Sequence, residues 1–171
     1  MSARAPSQRA LRAWGFALAA ASVILPSLPY GPLFTQPPMP LAVLWAAYGW
    51  AAEDESGWRA PMMLALLGLL HDQLAGGPYG LFVAVYVSAY LAGRAAAVMM
   101  SAPNLVSLWG GFVVTALVTI ALVALVERFF LPIAVAPYAE AALITALLFP
   151  FVRPLYMSAA PSMRPQPGLR R

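Results

Sequence analysis

The sequence predicts an all-α, polytopic integral membrane protein, a bundle of about six transmembrane helices with both termini in the cytoplasm. Three observations carry this reading. Of 171 residues, 62% are hydrophobic and 9% charged, against about a quarter charged in an ordinary soluble domain. The segments 13–52, 73–93 and 95–126 contain no Asp, Glu, Lys or Arg, and apolar windows of about 18 or more residues read as membrane spans. At about 20 residues each, six spans use roughly 120, which leaves short loops and two tails and no room for an aqueous domain. The third observation is the placement of the basic residues, all of them arginine. The chain contains no cysteine, which excludes a disulfide framework, a thiolate metal site and a Cys nucleophile.

A basic tail, 1–12, carries Arg4, Arg9 and Arg12 and precedes the first span, 13–28. A signal peptide shares this basic-then-apolar pattern. Here, however, Ala19, Ala20 and Ala21 fall in the middle of the apolar stretch and Pro26 and Pro29 form a helix exit, so the segment is expected to remain as a span. The connector 27–40 is Pro-rich and uncharged, with Tyr30 and Phe34 suited to the membrane interface. The second span, 41–52, is short and carries Trp45, Tyr48 and Trp50 before Glu53, Asp54 and Glu55 end it. The third, 58–75, is broken by Gly76, Gly77 and Pro78. Proline suits the first turn of a helix, so Pro78 is expected to open the fourth span, 78–100. The fifth covers 104–126. The sixth, 135–156, is interrupted by Pro150, and a basic, Pro-rich tail, 157–171, is expected to be disordered.

Alternating these spans places Arg4, Arg9, Arg12, Arg59, Arg94, Arg153, Arg164, Arg170 and Arg171 on one side and Arg128 alone on the other. That asymmetry is a positive-inside signal and assigns the arginine-rich side to the cytoplasm. The basic charge therefore speaks to orientation and to anionic lipid, not to nucleic acid.

The ionisable pair inside a span is His71 and Asp72. Charge in a span costs on the order of 2.5–3.5 kcal/mol on insertion scales and faces protein or a wet cavity. Ala65, Gly68 and Asp72 share a helical face of small residues where another helix can approach. Lying about one turn before Gly76, Asp72 can also accept backbone N–H groups at the start of the next helix. Two roles fit it: a structural brace at an irregular turn, or a proton, ion or ligand site. His71 points about 100° away on the helix, so the two form no acid/base dyad. In the fourth span Gly80, Ala84, Ser88 and Ala92 form a small-residue row expected to pack on a neighbouring helix. Phe82, Tyr86, Tyr90 and Arg94 form a bulky row on the other face, with Arg94 near the cytoplasmic end and too far along the helix to meet Asp72. Ser22, Thr115, Thr119 and Thr145 can bond their own helix carbonyls. No phosphate-binding glycine loop, paired-histidine zinc motif or nucleophile elbow occurs. No catalytic, metal or cofactor site is assigned, and the protein is expected not to be an enzyme.

Across Gly68, Leu69, Leu70, Asp72, Leu74, Gly76, Pro78, Gly80 and Leu81 the chain resembles the rod shape-determining MreD family of bacteria, whose signature has the form G-L-L-x-D-x-L-x-G-x-P-x-G-L. Size, basic ends and span count are also similar to that family, as is the apolar stretch with Tyr48 and Trp50. The sequence departs from the pattern at Pro40, where a Pro-Asp pair is expected, and at Phe82, where a small polar residue is common.

The resemblance implies a multi-pass adaptor or scaffold in the bacterial inner membrane, part of the cell-elongation machinery that maintains rod shape. Its implied partners are an MreC-like single-span protein and, directly or indirectly, MreB-like filaments and the enzymes of lateral peptidoglycan synthesis. The alternative is the substrate-binding membrane component of a small-solute transporter, for which Asp72 beside a broken turn on the outer half would suit a pocket.

Overall fold

The structure is a computed structural model and describes residues 8–25, 41–52, 57–75, 79–99, 104–129 and 136–157. Among the described residues the apolar stretches form six helices: α1 (Gln8–Ile24), α2 (Ala42–Ala52), α3 (Arg59–Ala75), α4 (Leu81–Met99), α5 (Leu105–Phe129) and α6 (Ala136–Tyr156). The described residues contain no strand. The segments 81–99, 105–126 and 139–156 are each long and apolar enough to cross a membrane, which marks the chain as a membrane protein. The connector 27–40, the acidic run at Glu53, the turn residues Gly76 to Pro78 and the tail from Ser158 lie outside the described residues.

An apolar residue on every face makes a helix that is buried all round, and α2 is such a helix. Ala42 to Gly49 and Ala51 are all buried, and α2 packs against each of the other five helices. Its length, about 16 Å at 1.5 Å per residue, falls well short of a bilayer, yet protein encloses it on all sides. The remaining helices bury one stripe each. In α1 that stripe is Gly15, Ala19 and Val23, with Trp14 and Leu18 turned outward.

Several boundaries differ from those the sequence suggests. α1 reaches back to Gln8 and ends at Ile24. α4 starts at Leu81 and not at Pro78, because Gly80 takes a left-handed φ of 92°, which a continuous right-handed helix cannot contain. α5 continues past Val126 through Phe129. It opens on a reciprocal cap in which Ser107 N–H donates to Asn104 Oδ1 (2.7 Å) and Asn104 N–H to Ser107 Oγ (3.0 Å). Met157, assigned from sequence to the tail, is buried against the bundle.

Pro150 does not interrupt the sixth span; α6 runs through both Pro150 and Pro154. Proline removes one N–H from the ladder and leaves the carbonyl four residues earlier, that of Ala146, without its usual donor. The Trp109 indole Nε1–H of α5 donates to that carbonyl at 2.8 Å. One residue earlier, the Thr145 carbonyl accepts the Trp45 indole of α2, also at 2.8 Å. Thr145 Oγ1 donates to Ala141 O at 2.5 Å and accepts Leu41 N–H at 2.7 Å, which ties the start of α2 to α6. With no water in the hydrocarbon to satisfy these groups, side chains of neighbouring helices must do so.

Beside this network, Phe112 of α5 and Phe149 of α6 stack with centroids 4.4 Å apart. Tyr48 of α2 meets both edge-on, at 5.6 and 5.5 Å. Lipid supplies little hydrophobic drive for helices to associate, so such ring contacts, each about 0.5–1.5 kcal/mol beyond area burial, hold α2, α5 and α6 together. Gly49 and Gly15 let Tyr156 into the seam between α1 and α2: a Cβ on Gly49 would lie 2.5 Å from Tyr156 Cβ, and one on Gly15 2.9 Å from its ring.

Replacing Trp109 with Phe is expected to reduce stability by about 1–3 kcal/mol, because a buried carbonyl loses its donor. In a Pro150→Ala background the restored N–H at position 150 supplies that donor, so the same replacement should then have less than about half the effect. Denaturant unfolding of the four proteins in detergent micelles measures the coupling, and an equal loss in both backgrounds would disprove it.

Candidate functional site

The residues of the candidate motif converge where α3 runs into α4. Asp72 is 1% exposed, held on the inward face of α3 with Ala60, Leu64, Leu67 and Gly68. A helix start has N–H groups with no intrahelical partner. An Asp, Asn, Ser or Thr at the residue before the helix normally accepts one of them, but that residue here is Gly80. Its left-handed φ excludes most side chains, and it has none to offer as a cap. Asp72 of the preceding helix performs the task instead. Its Oδ2 accepts Gly80 N–H at 2.7 Å and its Oδ1 accepts Phe82 N–H at 2.9 Å. The negative carboxylate also sits at the positive end of the α4 dipole.

Reaching across requires the two helices to approach closely, and Gly68 permits it. A Cβ at this position would lie 2.6 Å from both Cα and N of Val83 and 2.8 Å from the Phe82 carbonyl carbon. Backbone against backbone leaves no flexible group to yield. One turn of helix separates Gly68 from Asp72, so the glycine sets the approach and the carboxylate locks it.

His71 stands beside this lock with its own partners. Its ring stacks on Phe82 at 3.6 Å and 10° between planes, and Nδ1 is hydrogen-bonded to the Tyr86 hydroxyl at 2.5 Å. His71 and Asp72 therefore engage the same first turns of α4 through different atoms and form no dyad. Sequence reading missed these contacts. The register would have indicated them: once Asp72 meets Phe82 in an antiparallel pair of helices, the adjacent His71 falls level with Phe82 and the residue one turn on, Tyr86.

The other candidates separate. Gly76, Gly77 and Pro78 lie outside the described residues. The small row of α4 does not form its tight contact within the chain: Ala84 is exposed and Ser88 and Ala92 are half-buried. The inward face instead carries Phe82, Val85, Tyr86, Ala89, Tyr90 and Gly93. The rotation follows from the anchoring of Phe82 by Asp72 and of Tyr86 by His71, which turns the bulky row towards the protein. The close approach that the small row was expected to give comes from Gly93, whose added Cβ would stand 3.1 Å from the Tyr48 ring and 3.2 Å from Ala51 Cβ. Ser88 Oγ donates to the Val85 carbonyl at 2.9 Å. Arg94 is half-buried and about 21 Å along α4 from Gly80 at 1.5 Å per residue, well away from Asp72. Ser22, Thr115, Thr119 and Thr145 all bond to carbonyls of their own helices.

Each Asp72 carboxylate oxygen accepts one main-chain N–H of α4's first turn, which is the geometry of a brace between the two helices. Among the described residues no three His, Cys, Asp or Glu side chains gather as a metal site. An apolar cavity of about 10 Å³ lies between Leu44, Val85, Tyr86, Ile120 and Val123, room for about one water.

The Asp72→Asn variant keeps one acceptor but turns an NH2 group towards a donor, and is expected to lose about 1–3 kcal/mol. Asp72→Ala leaves both N–H groups without a partner and should lose roughly twice as much. Gly68→Ala is expected to cost about 1–3 kcal/mol through overpacking. Thermal unfolding in detergent, with protein level in the membrane as a second readout, gives the order. Equal loss of function in both Asp72 variants at normal protein level would instead indicate a required negative charge.

No family model matches this chain, and no curated protein or solved structure matches it.

Proposed function

We propose that this protein is a non-enzymatic adaptor of the MreD type, a multi-pass protein of the bacterial inner membrane that binds an MreC-like single-span protein and supports lateral peptidoglycan synthesis and rod shape. The observation that carries this reading is the use to which the motif is put. Gly68, Asp72 and Gly80, three of the residues on which the resemblance rests, form one device that fixes α3 against α4. A motif built to hold two helices at a set angle suits a protein whose work is to present a rigid surface to others. A solute carrier would need the same carboxylate open to its cargo, whereas Asp72 is 1% exposed and both its oxygens already accept a main-chain N–H.

The layout supports the same reading. The helices expose large apolar side chains along their outward sides, and an adaptor in a membrane recognises partners by helix packing. The arginine asymmetry supports a topology with both ends and the loops near Arg59 and Arg94 on the cytoplasmic side, within reach of cytoplasmic filaments.

Purification at native level in mild detergent is expected to bring down a single-span membrane protein in a fixed ratio, and depletion is expected to round rod-shaped cells. A small molecule retained in equal amount, or solute uptake by reconstituted vesicles, would overturn the adaptor reading in favour of a transporter component.

A further inference from the structure

Proline occurs twice within α6, at Pro150 and Pro154, and each removes one N–H from the helical ladder. The carbonyl that Pro150 frees, that of Ala146, receives the Trp109 indole. Pro154 frees the Pro150 carbonyl in the same way, because its missing N–H is the one that would reach it in a regular helix. Among the described residues, no side chain and no other helix donates to this second carbonyl.

The two carbonyls also face different surroundings. A helical carbonyl points along the axis towards the residue four positions on, so that of Pro150 lies between Pro150, half-buried, and Pro154, exposed. Leu143, Leu147 and Phe151, exposed at 62%, 58% and 81%, occupy the same side of α6 at a spacing of four. The Pro150 carbonyl therefore opens on the outward face, whereas that of Ala146 is turned to α5. It stands within the segment 139–156, which is long and apolar enough to cross a membrane, about 9 Å before Tyr156 at 1.5 Å per residue. Acyl chains offer it no donor there.

We propose that the single-span partner docks on the outward face of α6 around Leu147, Phe151 and Pro154, with an indole, hydroxyl or carboxamide of its membrane helix donating to the Pro150 carbonyl. This inference rests on the adaptor reading, which supplies the partner as a single membrane helix. Leu147 and Phe151, one turn apart, form a ridge of the kind that enters the groove of another helix. Packing of that sort leaves the partner free to slide, and a hydrogen bond to one carbonyl fixes its height. Within the chain, α6 is already held in this manner. The Thr145 and Ala146 carbonyls take indoles from α2 and α5, and the partner repeats that contact from outside the bundle.

Pro154→Ala separates this role from a structural one. The restored N–H at position 154 satisfies the carbonyl from within α6, so thermal stability in detergent should hold or rise. Affinity for the co-purified single-span protein, titrated back in detergent, should nevertheless fall about 3- to 15-fold, the worth of one interhelical hydrogen bond in a membrane. The chain has no cysteine, so Phe151→Cys can carry a photoreactive benzophenone at a single site. That label should cross-link to the partner, whereas the same label at Leu66→Cys on α3, where the side chain is 56% exposed, should not. Unchanged affinity in Pro154→Ala, or cross-linking from Leu66→Cys alone, would overturn the proposal while leaving the adaptor reading intact. A purified complex that holds no single-span protein would overturn both.

Discussion

Two hydrogen bonds from the first turn of α4 to one carboxylate of α3 determine much of the rest of this bundle. In water, a helix start with no capping side chain would be solvated at little cost. Inside a membrane protein the same N–H groups need a partner at once, and Asp72 supplies it from the preceding helix. The requirement fixes the separation of α3 and α4 through Gly68 and the rotation of α4 through Phe82. It decides that the rings of Phe82, Tyr86 and Tyr90 face inward. From that orientation follows the contact of Gly93 with Tyr48, by which α4 holds the central α2.

A second set of main-chain bonds serves α6 in a comparable way. Proline frees a carbonyl in the apolar interior, and an indole from another helix takes the place of the missing N–H. Both arrangements spend side-chain polarity on the backbone, and both use the imperfection of one helix to specify its neighbour. Tyr48 and Tyr156 show the limit of that practice. Their buried hydroxyls have no hydrogen-bond partner among the described residues, so their place in the bundle comes from ring packing.

Much of this was legible in the sequence. The scarcity of charge announced a membrane bundle, and an acidic residue one turn before a glycine-rich break announced a bond to the next helix. The face of α4 was misread because rows at helical spacing identify two faces without saying which is inside. That choice was made by Asp72 and His71, whose partners depend on the register of a turn. Pro150 looked like an interruption because the donor that repairs it, Trp109, is far away in sequence. α2 looked too short because length measures a span only where lipid, and not protein, surrounds the helix.

The enclosure of α2 also bears on how the protein is made. Of the five helices that surround α2, α1 precedes it in the chain, while α3 to α6 emerge afterwards. An eleven-residue helix is a poor substrate for independent insertion, which calls for about 20 apolar residues. The chain therefore has to keep α2 waiting, at the insertion machinery or against α1, until later segments arrive. Assembly ends with the interior being closed around an element made before four of its five neighbours.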